Sequence, residues 1–393
     1  MLVVAQRLIY GLNSFTLLAV PLFILVGNLM DFGGISKRLT DWAKSILGWL
    51  PGGLGIVTVF SCAIFAALTG SGPATVAAIG SIMLPSMLKA GYSKDTSAGL
   101  VASAGALGPI IPPSIPMIIY GVTMNLSIPA MFMAGVIPGL VIALALSLVN
   151  VVFAYRNPEV LKHAKTMKFD FKESMKLFWK ALGALGLPIL ILGGIYGGIF
   201  TPTESAAVGI IYALILGFAL KELKVKDLPK ILINSLKTST MVNFIIAAAS
   251  LFSWVVSKSQ IGTVISNAFI SFVGGSQALY LFVLVVVLLI VGCLMDNVAA
   301  TLILAPILIP VGIALGCNEL HIGMLFCICL VVGFVTPPFG YNLFTAVSIS
   351  GLNFKQIVKG SLPFLLTEIL LLFVFAYVPG IITWLPRLMG YGY

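Results

Sequence analysis

The chain has 393 residues, of which 60% are hydrophobic and only 9% are charged, and its mean hydropathy is +1.14. Soluble domains carry about 25% charged residues, so this composition excludes a water-soluble fold, and it also excludes intrinsic disorder. The five cysteines are few and odd in number, which argues against a disulfide framework. Because each cysteine lies in an apolar run, we expect small buried side chains. The composition predicts a polytopic integral membrane protein.

Long segments without Asp, Glu, Lys or Arg predict the spans. A spanning helix needs about 20 apolar residues, and continuous apolar runs favour helices over the alternating strands of a transmembrane barrel. The predicted fold class is therefore all-α. In chain order we expect helices at 14–31, 96–125, 129–155, 182–200, 205–220, 238–257, 319–350 and 361–379, and surface-lying amphipathic arms at 36–49 and 262–273. Segment 1–12 is short for a span.

The net charge of +10 comes from clusters of Lys and Arg between the spans. Segment 156–180 holds seven basic residues and segment 221–237 holds five. Basic loops stay on the cytoplasmic side, and alternation of the spans then places 19 of the 22 basic residues on that face. The charge therefore indicates membrane topology, and we expect no nucleic-acid partner.

An internal repeat appears when the sequence is shifted by 225 residues. Seven of the fourteen Gly or Pro positions in 74–138 then fall on the same residue type in 299–363. These residues set backbone geometry, so the match predicts shared kinks and turns. The predicted topology places the two copies in opposite orientations, which is typical of secondary transporters.

Each copy contains a pair of apolar segments around a short tip. In the first copy, arms of about 15 residues at 54–68 and 74–88 flank the tip 69–73. Such arms are too short for a core of about 30 Å, so we expect a re-entrant hairpin that enters from the cytoplasmic side. The second hairpin, with arms at 278–294 and 298–315, is expected to enter from outside.

The tips and the following broken helices predict binding sites. Helix N-termini at Ala74 and Val298 favour an anion, and carbonyl oxygens freed by the prolines of 108–114 and 333–338 suit small hard cations. Two tips that face two broken helices predict two cation sites around one substrate site. Asp296 is the one acid expected at the midplane, whereas we expect Glu368 to make a scaffold contact.

Several motifs resemble those of one transporter family. The stretches LFILVGNLM at 22–30, TGSGPAT at 69–75 and GPIIPPS at 108–114, with Asp296 and TPPFG at 336–340, resemble the large membrane subunit of tripartite ATP-independent periplasmic (TRAP) transporters. The resemblance covers nearly the whole chain, although the family's usual first helix is missing.

The resemblance implies a function and a set of partners. Such proteins import organic anions, often C4-dicarboxylates or sialic acid, with a sodium gradient across the bacterial inner membrane. A periplasmic binding protein delivers the substrate, and a small four-helix membrane subunit braces the large one. A transport module moves like an elevator against a static scaffold. On this chain the scaffold would be 1–50, 129–274 and 354–393, and the module halves would be 51–128 and 275–353.

The resemblance also implies residue roles. The substrate region would comprise Thr69, Ser71, Ser114, Asp296 and Asn342. About two or more sodium ions would bind, mostly through main-chain oxygens, near a set of residues from both halves: Gly70, Gly72, Ser103, Gly108, Pro112, Asn297, Gly333, Thr336 and Pro337.

Three alternatives stay open from the sequence. A stand-alone sodium/anion symporter of related architecture would need no binding protein. An intramembrane enzyme with Asp296 as catalytic acid would lack the second catalytic group that is normally needed. A passive channel rarely needs two inverted hairpins with sealed tips. We therefore expect a transporter and not an enzyme.

Overall fold

The computed structural model describes residues 2–392, which form helices with no strand among them. The predicted all-α fold class is therefore confirmed. The first ten helices are α1 (Leu2–Leu12), α2 (Ala19–Phe32), α3 (Ile35–Leu47), α4 (Gly53–Thr69), α5 (Gly72–Lys89), α6 (Lys94–Gly105), α7 (Leu107–Ile110), α8 (Ile115–Met124), α9 (Ile128–Tyr155) and α10 (Pro158–Thr166). The next ten are α11 (Phe171–Tyr196), α12 (Pro202–Ala219), α13 (Leu228–Lys258), α14 (Ile261–Val273), α15 (Gln277–Leu294), α16 (Asn297–Ala314), α17 (Glu319–Gly333), α18 (Tyr341–Ser350), α19 (Phe354–Tyr377) and α20 (Gly380–Leu388).

Nine helical stretches within residues 2–392 are long and apolar enough to cross a membrane. Both arms are helical as predicted, as α3 and α14, and both proline-containing spans are broken, between α6 and α8 and between α17 and α18. All five cysteines are free and buried, as expected. Helix α20 was not predicted.

The predicted basic loop 156–180 is largely helical. Asn157 caps α10, and the Asp170 carboxylate accepts the backbone N–H of Lys172 at 2.8 Å and of Glu173 at 3.2 Å at the start of α11. Side-chain caps of this kind satisfy the free N–H groups of a first turn. Helix α11 therefore begins about ten residues earlier than the uncharged run suggests.

The basic connections meet at one end of the molecule. The Arg38 guanidinium lies 3.0 Å from the Glu222 carboxylate, which joins the arm α3 to the α12–α13 connection. The Asn157 side chain donates to the carbonyl oxygen of Gly91 at 3.0 Å, which joins the α9–α10 connection to the end of α5. We call this end the basic end; the first hairpin, α4 and α5, has its base there.

The second hairpin has its base at the opposite end. Helix α19 starts at the basic end, where Gly360 packs so closely on the backbone of Asp95 that a Cβ would collide with its carbonyl oxygen. Its 24 residues rise by roughly 36 Å. At the far end the Tyr377 hydroxyl donates to the carbonyl oxygen of Ala278, near the start of α15, at 3.1 Å. The two hairpins therefore enter from opposite ends, as the inverted repeat predicts.

The repeat offset holds at the level of helix bounds. Helix α5 covers 72–89, and adding 225 gives 297–314, which is the range of α16. The N-cap positions correspond as well, since Ser71 stands at that of α5 and Asp296 at that of α16, although only Asp296 makes a side-chain capping hydrogen bond. The hairpin arms of 17 or 18 residues are longer than the 15 expected for the first hairpin. The tip is shorter than expected because Gly70 and Ser71 alone make the turn.

The packing divides the helices into two groups. The hairpins and broken helices pack with α9 and α19, and we call these helices the hairpin group. Helix α2 packs with α12 and α13, and α1 packs on α13, in a flanking group. We expected α9 and α19 in the scaffold; α9 packs against α4, α6 and α17, α19 packs against α6, α15 and α17, and their assignment to the scaffold stays a prediction. The arms α3 and α14 contact both groups. How the groups move relative to each other stays a prediction.

Candidate functional site: a cavity between the hairpin tips

The first hairpin turns on two residues. Gly70 ends α4 with φ 60°, a left-handed backbone conformation that costs glycine little. Ser71 is extended and occupies the N-cap position of α5 without a side-chain capping hydrogen bond. Pro73 stands in the first turn, where a missing N–H costs nothing. The Thr69 hydroxyl lies 3.3 Å from that of Thr75, so it is turned along the hairpin.

The second hairpin turns at Met295 and Asp296. The Asp296 carboxylate accepts the backbone N–H of Val298 at 2.8 Å and so caps α16. The N-terminal turn of α16 and that of α5 line the same cavity. Both helix N-termini, which carry partial positive charge, are therefore presented to one space.

Glycines bring the first tip against the first broken helix. A Cβ on Gly108 would lie 2.6 Å from the carbonyl oxygen of Ser71, and a Cβ on Gly70 would lie 2.9 Å from that of Pro113. Any other residue would force these backbones apart. The predicted contact between tip and break is thus a direct backbone contact.

One buried polar cluster joins the two halves of the repeat. Asn342, at the start of α18, donates its side-chain N–H to the carbonyl oxygen of Ala102 at 3.0 Å. Its Oδ1 is buried without a hydrogen-bond partner in the described residues, and the buried Ser103 hydroxyl also lacks one. A Cβ on Gly72 would lie 2.7 Å from Asn342 Oδ1. Unpartnered oxygens that meet at a hairpin tip suit a hard cation.

A second polar cluster lies on α16. Both side-chain amide atoms of Asn297 and the hydroxyl of Thr301 are buried without partners among the described residues. Residues four apart lie on one face of a helix, so these groups are neighbours. Buried polar atoms in native proteins normally have a partner, protein, water or ion. This cluster has the chemistry of the second predicted cation site.

The cavity has a volume of about 540 Å³ and lies between the two groups of helices. The hairpin group contributes both tips and parts of both broken helices. The flanking group contributes α2 and α13, through residues that we did not predict: Asn28, Asp31, Thr238, Met241 and Val242.

The cavity extends from the tips toward the basic end. On α5 the lining residues continue from Ala74 through Ala77 to Ser81, in the direction of Lys89, and those three are exposed. Beyond α2 the lining reaches Ser36 on the arm. The cavity is thus accessible from the end where the basic connections lie.

The charges along the cavity are all negative. Asp31 and Asp296 line it, whereas none of the described lining residues is Lys, Arg or His. A carboxylate ligand would normally be held by arginine in a bidentate manner. Here an anion has only helix N-termini and hydroxyl or amide groups from the protein.

The predicted residues fall into two sets. Those that line the cavity are Thr69, Gly70, Ser71, Gly72, Asp296 and Asn297. The others do not line it: Ser103, Gly108, Pro112, Ser114, Gly333 and Asn342 are buried, and Thr336 and Pro337 are half-buried. Their binding roles stay predictions.

Two of the singled-out side chains have surroundings that the sequence did not indicate. The Ser114 hydroxyl donates to the carbonyl oxygen of Pro109 and accepts the N–H of Met117 at 3.4 Å, so it caps α8. Glu368 is 1% exposed, and neither carboxylate oxygen has a partner in residues 2–392. The missed wall residues Asn28 and Asp31 did carry a signal, since both are polar residues at the end of an apolar span.

A fold with two inverted helical hairpins around a shared cavity is that of a secondary transporter. The profile of the family "Tripartite ATP-independent periplasmic transporter, DctM component" matches residues 1–381. The chain belongs to this family, as the sequence motifs predicted.

Several characterised proteins are similar over most of this chain. The C4-dicarboxylate TRAP transporter large permease protein DctM of Pseudomonas aeruginosa is 39% identical over 387 residues, which are 98% of this chain and 90% of that protein. The sialic acid TRAP transporter large permease protein SiaM of Vibrio cholerae is 34% identical over 390 residues, covering 99% and 90%. The isethionate TRAP transporter permease protein DctMQ of Oleidesulfovibrio alaskensis is 40% identical over 379 residues, but this chain spans only 59% of its length.

A crystal structure of the Alcanivorax borkumensis YdaH transporter, described as having an unusual topology, is similar in fold. Its TM-score is 0.66, and the match covers 99% of this chain and 88% of that chain at 14% sequence identity. At that identity the likeness extends to the fold alone.

Proposed function

We propose that this chain is the sodium-coupled permease of a TRAP system and imports an organic anion across a bacterial inner membrane. The observation that carries the proposal is the shared cavity. Two tips from opposite ends line it, and two clusters of buried, unpartnered oxygens lie at those tips. Hard cations prefer oxygen ligands of this kind.

The charges of the cavity support coupling to a cation. With Asp31 and Asp296 in its lining and no basic side chain among the described ones, the cavity repels an anion until cations enter. Sodium at the two clusters would neutralise exposed oxygens and make the anion site favourable. The anion then binds at the helix N-termini, with the Thr69 and Ser71 hydroxyls as candidate donors.

We propose that the hairpin group carries the anion past the wall formed by α2 and α13. The cavity lies at the seam between the groups and reaches the basic end, which is the cytoplasmic side by the positive-inside rule. The arms that contact both groups would guide the movement. In the elevator mechanism that we propose, a cavity open to this side would belong to the inward-facing state.

The substrate class is an organic anion that carries a carboxylate, such as a C4-dicarboxylate or sialic acid. Support comes from the names of the relatives, which also include a 2,3-diketo-L-gulonate permease. A small membrane subunit and a periplasmic binding protein complete the system. The term "large permease protein" in the relatives' names supports a smaller partner.

Uptake by proteoliposomes tests the function. The complete system, with its small subunit and binding protein, is assayed with succinate, N-acetylneuraminate and isethionate, with and without a sodium gradient. We expect one of them to accumulate only with sodium. Ser71→Leu should abolish uptake because it fills the tip. Ser259→Leu should not, because this exposed serine follows α13 and bonds only carbonyl oxygens of the last turn of that helix. Sodium-independent uptake, or normal uptake by Ser71→Leu, would contradict the proposal.

A stand-alone sodium/anion symporter is the second candidate, because YdaH, a transporter named without such partners, shares the fold. Leaving out the binding protein separates the two functions. A TRAP permease loses uptake in that experiment, whereas a stand-alone symporter keeps it.

A further inference from the structure

Asp31 lies on the wall of the cavity, just below the tips. Gly27 on α2 contacts the first tip, since a Cβ there would lie 3.2 Å from Thr69 Cα. Asp31 follows one helical turn later, about 6 Å toward the basic end, and it lines the same cavity. The wall of the cavity between the tips and the basic end therefore carries this carboxylate.

The Asp31 carboxylate is exposed to the cavity and has no hydrogen bond or ion pair among the described residues. Two bases of the basic end have other partners, since Arg38 pairs with Glu222 at 3.0 Å and Lys230 lies 5.4 Å from the centre of the Phe32 ring. No described side chain therefore forms a direct ion pair with the Asp31 carboxylate.

The position of Asp31 differs from that of the other acid. Asp296 belongs to the second tip and would move with it, whereas Asp31 belongs to the flanking group. The cavity also contains the buried Asn297 amide without a partner, which marks the ligand position at the tips. The cavity thus has a binding end with unpartnered groups and an exit end with an uncompensated negative charge.

We propose that Asp31 is a release residue, which weakens anion binding in the cavity when it is open to the basic end and so speeds discharge. The inference rests on the proposed function and adds a directional element to it. Because Asp31 is on the wall, its repulsion acts most strongly when the tips are next to it. Sodium leaving the tips is attracted to the same carboxylate, so cations and anion separate there.

The magnitude follows from Coulomb's law. Two unit charges about 8 Å apart change a dissociation constant by at least about twofold in water, and by more at the lower effective dielectric constant near a protein surface. For a dianion the interaction energy doubles, so the factor by which the dissociation constant changes is squared. The effect should vanish at about 1 M salt, where the screening length is only about 3 Å.

The test compares Asp31→Asn with wild type, with Asp31→Glu and with the control Asp41→Asn, whose site on α3 does not line the cavity. Equilibrium binding of the anion that the wild-type system transports is measured on the detergent-solubilised complex in saturating sodium. Initial uptake rates are measured in proteoliposomes.

We expect Asp31→Asn to bind the anion at least about twofold more tightly and to show a lower kcat for uptake. Asp31→Glu and Asp41→Asn should behave like wild type, and 1 M choline chloride should remove the difference in affinity. Unchanged or weaker binding by Asp31→Asn while the wild type transports normally would overturn the release role. If the wild type takes up none of the three anions, the proposed function itself fails, and this inference fails with it.

Discussion

Replacing Gly108 by alanine tests whether the first tip must contact the broken helix. The added Cβ would lie 2.6 Å from the Ser71 carbonyl oxygen, where ordinary contact begins at 3.4 Å, so the backbones must separate by about 0.8 Å. Binding constellations need their groups within about 0.5 Å of the productive position. We therefore expect uptake to fall at least about tenfold and the half-saturating sodium concentration to rise.

Gly193→Ala is the matched control, because Gly193 is also helical and a Cβ there meets nothing within 4 Å. Alanine in place of a helical glycine stabilises by up to about 1 kcal/mol, whereas overpacking costs about 1–3 kcal/mol. The Gly108 variant should thus be about 1–3 kcal/mol less stable than the control in thermal unfolding of the solubilised protein. Wild-type uptake and sodium dependence in Gly108→Ala would refute the reasoning, whatever its stability.

Three further variants test contacts between parts of the fold. Asn342→Ala should lower the free energy of unfolding by about 1–3 kcal/mol, because a buried backbone acceptor loses its donor. It should also remove the stabilisation that sodium gives in thermal unfolding. A sodium response like that of wild type would contradict this. The Ser253 hydroxyl donates, at 3.3 Å, to the Leu302 carbonyl oxygen, which a proline in α16 leaves free. We expect Ser253→Ala to cause a similar loss in the free energy of unfolding. A loss below about 0.5 kcal/mol would contradict this expectation. Arg38→Ala breaks the ion pair with Glu222, in which the two side chains are 23% and 47% exposed. The free energy of unfolding should therefore change by at most about 1 kcal/mol. A larger change would mean that this contact orders the arm α3.

The repeat was predictable because glycine and proline act through local backbone geometry. The shift of 225 residues, found from these two residue types, gives the bounds of α16 from those of α5. The order of hairpin, broken helix and long helix followed from charge-free runs. The length of the first tip was less predictable. We expected it to include the residues up to Pro73, but Gly70 alone allows the left-handed turn, and Pro73 stands inside the first turn of the next helix.

The sequence did not indicate which helices form the wall of the cavity. Spans such as α9 and α19 are apolar all round, so composition cannot tell whether they face the hairpins or the flanking helices. Asn28 lies in the motif at 22–30 and Asp31 directly follows it, but the motif does not show that α2 faces the cavity. Contacts between residues far apart in sequence decide which way these helices face. One example is the side-chain hydrogen bond at 2.8 Å from Asn28 on α2 to Ser235 on α13.

The two halves of the repeat complete each other's binding groups. Helix α18, which belongs to the second half, packs on α5 of the first hairpin, and α8 of the first half packs on α16 of the second. Asn342 therefore reaches the first tip from the opposite half. A cation bound beside Asn342 and Ser103 would hold groups from both halves and so would favour the arrangement that the second cluster, on α16, needs. In a cavity whose own side chains carry only negative charge, this cross-packing is a physical reason why the anion would bind only after both cation sites are complete.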